Sequence, residues 1–192
     1  MDELHSEKHF WSVFFDRFDA LMNDAQLMRV YRKFGREVFR RSAALEGLNE
    51  FVKANGFKGG RCVEIGTCHG ITALILARYF DEVVSIDIAP FPLKHEIAAF
   101  LKVKNITFID VKDNAEKAQV IKALDFDAAF CDGDHAADTE TDFALVARCG
   151  HVLFHEHWAP QPPVLKLVET LKRKGRVATA GKWAIWDGRE QA

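Results

Sequence analysis

From Phe10 to Met22 the apolar residues Phe10, Trp11, Phe14, Phe15, Phe18, Leu21 and Met22 recur at helical spacing, with Asp16, Arg17 and Asp19 between them. This pattern predicts an amphipathic helix. A second series, Leu27, Tyr31, Phe34, Val38, Leu45, Leu48 and Val52, repeats at about 3.5 residues and is interrupted at Arg41, so one or two further helices are expected. Gly56-Phe57-Lys58-Gly59-Gly60 breaks the helical pattern, and short β-rich runs alternating with helical stretches follow it. A helical preface therefore gives way to a core near residue 58.

Within the core, strands are expected over residues 61–66, 82–88, 105–109, 126–131 and 151–155. Helices are expected between them, over 71–80, 93–102, 114–124 and 139–148, and then over 164–174. Regular strand and helix alternation implies a parallel sheet with helices on both faces. The last two strands, 176–180 and 182–187, meet at Gly181 with no room for a crossover, so they form an antiparallel hairpin. The fold class is α/β: a doubly wound, mainly parallel sheet of seven strands with a C-terminal antiparallel hairpin and N-terminal helices.

Composition narrows the partners. A chain of 192 residues that is 48% hydrophobic suits one sizeable core. Its formal charge of −2, from 26 basic and 28 acidic residues, offers no footprint for nucleic acid or an anionic membrane. The start of the chain lacks the basic and apolar runs of a signal peptide, and no apolar run approaches the ~20 residues that span a bilayer. Cys62, Cys68, Cys131 and Cys149 lack CxxC spacing, so reduced thiols and a cytoplasmic location are expected.

The first candidate site lies where the opening strand turns into its helix, at Glu64-Ile65-Gly66-Thr67-Cys68-His69-Gly70. Glycines there let a ligand approach the backbone, and the following helix offers N–H groups. The GxxxG spacing lacks the middle glycine that admits a pyrophosphate, which disfavours a dinucleotide, and no GK[ST] ending makes it a P-loop. Asp87 ends the next strand about 20 residues on, where an acid accepts both ribose hydroxyls. Its other reading is a cap on the turn before Pro90. After the third strand, Asp113 is preferred to Asp110 as an acceptor for an adenine amino group.

The motifs VEIGTCHGITALILA, VVSIDIAP, FDAAFCDGDH with its downstream Asp142-Phe143, and CGHVLFHEHW resemble class I S-adenosylmethionine-dependent methyltransferases. They are most similar to the small-molecule group typified by macrocin and mycinamicin O-methyltransferases and by cephalosporin hydroxylase-like proteins. The resemblance spans about residues 58 to 187 and implies a Rossmann-like methyltransferase sheet whose last strand is inserted antiparallel. It divides the chain into an extension over 1–57 and an S-adenosylmethionine-binding domain over 58–192. By motif position, Glu64, Gly66, Thr67 and Gly70 surround the methionine portion of the cofactor. Asp87 lies at the ribose, Asp113 and Asn114 beside the adenine, and Ile88 and Asp132 also touch the cofactor.

Chemistry is expected after the fourth and fifth strands, where Asp132, Asp134 and His135 converge with His155, Glu156 and His157. Carboxylates suit Mg²⁺, whereas several imidazoles favour a transition metal. Carried over from related metal-dependent O-methyltransferases, Asp132, His155 and Glu156 form a divalent metal site, with magnesium expected. Asp132 and His135 are the catalytic pair, His135 being the general base. Relatives commonly carry His-Asp or two acids where this chain has His155-Glu156, which leaves the metal geometry open. Alternatively His155 satisfies backbone groups, His157 faces solvent, and Asp134 stabilises its turn.

The expected product is a methyl ether of a small hydroxyl-bearing substrate. The aromatic stripe from Phe10 to Phe18 serves as an apolar lid, as core packing or as a homodimer face, the last two being the commoner uses. Trp158 either stacks on the acceptor or plugs its loop, whereas Trp183 and Trp186 belong to the packing of the hairpin. A non-catalytic cofactor-binding or assembly protein and an NAD-linked oxidoreductase are the competing classes.

Overall fold

A computed structural model describes residues 23–39, 47–133, 138–155, 162–174, 177–180 and 183–188. The helix expected over Phe10–Met22, the interruption at Arg41 and the hairpin's Gly181 lie outside these residues.

The second apolar series forms α1 (Ala25–Phe34), a 3₁₀ turn (Arg36–Phe39) and α2 (Leu48–Ala54). Asp24 caps α1, its carboxylate accepting the N–H groups of Gln26 and Leu27, each at 3.0 Å. The same carboxylate receives the Arg78 guanidinium at 2.6 and 3.1 Å, which fastens α1 to the core. Burial opposes the charge on Asp24, but Arg78 and the two N–H groups prevail and hold its carboxyl below the usual range.

The core elements follow in the expected order: β1 (Arg61–Ile65), α3 (Ile71–Leu76), β2 (Glu82–Asp87), α4 (Leu93–Leu101), β3 (Ile106–Asp110) and α5 (Asn114–Ala123). They continue with β4 (Ala128–Cys131), α6 (Thr139–Val146), a 3₁₀ turn (Ala147–Cys149), β5 (His151–His155), α7 (Pro162–Arg173), β6 (Val177–Ala180) and β7 (Trp183–Asp187). Two helices are shorter than their periodicity predicts. The amide of Asn105 donates to the carbonyls of Ala77 and Phe80 at 2.9 and 3.0 Å, and i→i−3 bonds from Arg78 and Tyr79 close α3 early. Likewise α6 tightens to the 3₁₀ turn before Gly150, whose φ is 78°.

The sheet order is β3-β2-β1-β4-β5-β7-β6. β1 to β5 pair in parallel, and β7 runs antiparallel between β5 and β6. The hairpin expected from the Gly181 junction is present, with β7 inserted beside β5 rather than at the sheet edge. Strand order reverses between β1 and β4, and a crevice opens at such a switch point beyond the carboxyl ends of the strands.

Two apolar layers flank the sheet. Cys62, Val83, Phe130, Leu153 and Ile185 face α1 to α4, while Val63, Val84, Ala129, Val152 and Ala184 face α5 to α7. Because strand side chains alternate, Glu64 and Ser85 share the first face with Cys62 and Val83, and His155 shares it with Leu153. Polar side chains of the strands themselves therefore enter the first layer, near the carboxyl ends of β1, β2 and β5. No helix among the described residues is long and apolar enough to cross a membrane.

Candidate active site

The turn from Gly66 to Gly70 sits at the head of β1. Gly66, Cys68 and Gly70 all have positive φ, at 97°, 46° and 76°. A β-carbon on Gly66 would lie 2.2 Å from the Asp132 carbonyl oxygen. Glycine is needed there because the segment after β4 crosses against β1, a contact invisible in the motif, which suggested only ligand approach. The Asp132 N–H donates to the Ile65 carbonyl at 2.9 Å and locks that crossing. The helix beyond the turn has only six residues, and the Gly70 N–H is already taken by the Thr67 carbonyl at 2.8 Å, so the turn offers fewer N–H groups than its motif suggests.

Asp87, at the end of β2, braces this turn. One carboxylate oxygen accepts the Cys68 N–H at 2.8 Å and the other accepts the Ala89 N–H at 2.9 Å. The first bond supports Cys68 in the left-handed region, which a side chain of its type rarely adopts. Each carboxylate oxygen carries two acceptor sites, so ribose acceptance and turn bracing are compatible. Ile88 follows directly and is the exposed large hydrophobic of the described residues, at 39%.

Beneath the turn, Glu64 is fully buried. One of its oxygens contacts the Ser85 hydroxyl, which in turn lies 2.7 Å from the Thr67 hydroxyl. The other oxygen, Oε1, is buried with no hydrogen-bond partner among the described residues. Burial pushes the Glu64 carboxyl well above the usual range, against the Ser85 bond, and the charges of Asp132 and Asp87 push the same way, against Lys94. The Lys94 side chain, on α4, has no exposure; its ammonium pairs with Asp110, the register neighbour of Asp87.

Asp132 and His155 meet across the ends of β4 and β5, with Oδ1 and Nδ1 at 2.8 Å. The imidazole packs against Trp183 in a tilted arrangement, ring centres 4.6 Å apart and planes at 32°. A carboxylate at Nδ1 fixes both ring orientation and tautomer. Trp183, expected only to pack the hairpin, is therefore also what holds His155. Behind the same loop, Lys117 of α5 and Asp142 of α6 form a buried ion pair at 2.6 Å, and the ideal β-carbon position of Gly133 lies 3.3 Å from Asp142 Oδ2.

The structure thus brings together Glu64, Gly66, Thr67, Gly70, Asp87 and Asp132, with Ile88 at the rim and His155 alongside. Asp113 and Asn114 are engaged elsewhere. Asp113 caps α5 through the Glu116 N–H at 2.8 Å, and the Asn114 amide donates to Asp138 at 2.7 Å. His135, Asp134, Glu156, His157 and Trp158 lie outside the described residues. Among the described residues no group of three His, Cys, Asp or Glu side chains could hold a metal.

Sequence reasoning missed Ser85, Lys94 and Lys117. Ser85 had a signal, as the polar residue interrupting the apolar run of β2; the lysines had none, since helical Lys ordinarily faces water. Thiolate chemistry has no support at Cys62, Cys131 or Cys149: burial pushes Cys62 and Cys131 far up and Cys149 to about 11.

The strand order, with its inserted antiparallel β7, is that of the Rossmann-like methyltransferase fold, and solved structures agree. A Klebsiella pneumoniae protein classed as an O-methyltransferase matches with a TM-score of 0.65 at 17% identity, over 90% of this chain and 96% of its own. A Bacillus cereus O-methyltransferase in complex with S-adenosylhomocysteine matches at 0.62 and 16% identity, over 84% and 90%. A Staphylococcus aureus protein classed as a caffeoyl-CoA O-methyltransferase matches at 0.65 and 15% identity, over 97% and 100%. No family model and no curated protein matches the chain.

Proposed function

We propose that this chain is an S-adenosylmethionine-dependent methyltransferase that methylates a hydroxyl of a small molecule. Glu64 carries most weight. A fully buried carboxyl with one oxygen lacking a partner among the described residues is costly unless a polar ligand completes it, and it lies directly under the glycine turn. The residues around it fit the cofactor. Glu64, Gly66, Thr67 and Gly70 surround its amino-acid end, Asp87 accepts the ribose hydroxyls, and the exposed Ile88 is covered by the adenine. The start of α5, where the side chains of Asp113 and Asn114 are engaged within the protein, borders the adenine.

The cofactor would supply an electrophilic methyl group, which needs only an aligned nucleophile. Asp132, oriented by His155, aligns the acceptor hydroxyl at the switch point, and its charge favours an imidazolium nearby. His135 takes the proton from the acceptor. Of the expected metal site, Glu156 lies outside the described residues and Asp132 and His155 are bonded to each other through Oδ1 and Nδ1, so no step is routed through a metal. The likeness to the macrocin and cephalosporin hydroxylase-like group, a cytoplasmic location and the role of residues 1–57 as lid, packing surface or dimer face belong to the same proposal. A formal charge of −2 supports a small-molecule acceptor over nucleic acid.

Labelled methyl transfer from S-adenosylmethionine to a panel of small hydroxyl acceptors, with and without a chelator, tests the assignment. Transfer that survives chelation supports a metal-independent enzyme. Cofactor binding without transfer to any acceptor supports a non-catalytic binding protein of the same fold. Tighter binding of NAD than of S-adenosylhomocysteine overturns the choice of cofactor.

A further inference from the structure

Glu64 raises a question of charge that cofactor binding must answer. Its carboxyl is fully buried, and Oε1 has no hydrogen-bond partner among the described residues. Its other oxygen meets Ser85, a hydroxyl that can accept as readily as donate, and Ser85 continues to Thr67. The groups facing it from the packed elements are Asp87 on β2, Asp132 after β4 and Lys94 on α4; α3 carries no titratable side chain. Lys94 is already paired with Asp110. Ser85 and one engaged lysine offset burial and two acids only in part, so the neutral acid is favoured in the ligand-free protein.

We propose that Glu64 holds a proton in the ligand-free protein and that an ammonium-bearing ligand displaces it, so that binding in the glycine turn releases a proton to solvent. The O–H bond of the Glu64 carboxyl breaks, its proton passes to water or buffer, and the carboxylate formed accepts an N–H of the ligand's ammonium at Oε1. Ser85 then donates to the other oxygen, with Thr67 donating to Ser85. Glu64 so selects for a cation, and affinity rises with pH until the free protein has itself lost the proton. The coupling rests on the cofactor assignment above, but its failure can be told apart from that of the assignment.

The test is calorimetric titration of S-adenosylhomocysteine into wild type and Glu64→Gln at neutral pH, in buffers of different ionisation enthalpy. The expected result is about one more proton released per ligand bound by wild type than by E64Q. Equal release by both, with binding intact, overturns the coupling and spares the cofactor. In parallel, carbon NMR of carboxyl-labelled ligand-free protein, with E64Q identifying the resonance, reports protonation directly. Glu64 should titrate well above the other glutamates. Titration among them overturns the proposal even if S-adenosylhomocysteine fails to bind.

Discussion

Asp132 Oδ1 lies 2.8 Å from His155 Nδ1, and this contact joins the ends of two adjacent parallel strands at the mouth of the crevice. Each side chain thus helps to orient the other. Asp132→Asn and His155→Phe should each lower kcat, and the double variant should be little worse than the more damaging single change. The Phe variant keeps an aromatic ring against Trp183 and so separates stacking from hydrogen bonding. A double-mutant cycle on kcat should return a coupling of about 1–3 kcal/mol. Additive losses would mean that the two side chains act independently.

His135 is assigned the acceptor proton. His135→Ala should reduce turnover on the order of 10²–10⁴-fold while leaving S-adenosylhomocysteine affinity nearly unchanged. Retained turnover removes His135 from the mechanism, and a matching loss of affinity makes it a binding residue instead.

Gly66→Ala should destabilise the fold as well as the site. The new methyl would sit 2.2 Å from a backbone carbonyl, which cannot swing aside as a side chain would, and φ would stay at 97°. Left-handed strain alone costs about 1–3 kcal/mol, and moving the Asp132 segment adds to it. Urea denaturation reads the difference. Wild-type stability with cofactor binding alone impaired would return Gly66 to a purely ligand-facing role.

Glu64 also sets a pH dependence of stability. Its carboxyl is raised in the folded state, so between its unfolded and folded values the folded chain holds a proton that the unfolded chain has lost. Stability from this group is therefore present at low pH and declines as pH rises through that interval. Glu64→Gln lacks this decline, so without ligand it should gain thermal stability over wild type as pH rises from acidic to neutral. A difference between the two proteins that does not change with pH would show that Glu64 ionises normally.

Most of the fold was legible because each strand run and helix period matched its own burial. The hairpin followed from the brevity of the Gly181 junction, but nothing in that junction says that β7 enters beside β5; this came only with the family resemblance. The ends of α3 were misjudged because Asn105, distant in sequence, captures the carbonyls of Ala77 and Phe80. Within the site, glycine spacing and the position of Asp87 pointed to the crevice where the strand order reverses. The reason for Gly66, the Ser85 link to Glu64, and Trp183 under His155 all arise from neighbouring strands in register, which a linear motif does not record.

Calorimetry of S-adenosylhomocysteine and of NAD against wild type and Asp87→Ala tests the central claim most directly. Asp87 should contribute a pair of charge-assisted bonds to ribose, so wild type should bind S-adenosylhomocysteine more tightly than NAD, and the Ala variant should lose at least about tenfold, equivalent to about 1.4 kcal/mol. Circular dichroism on the same samples checks that the Cys68 turn has not unfolded the chain. No binding of S-adenosylhomocysteine by folded wild type, or a preference for NAD, would contradict the assignment of this crevice.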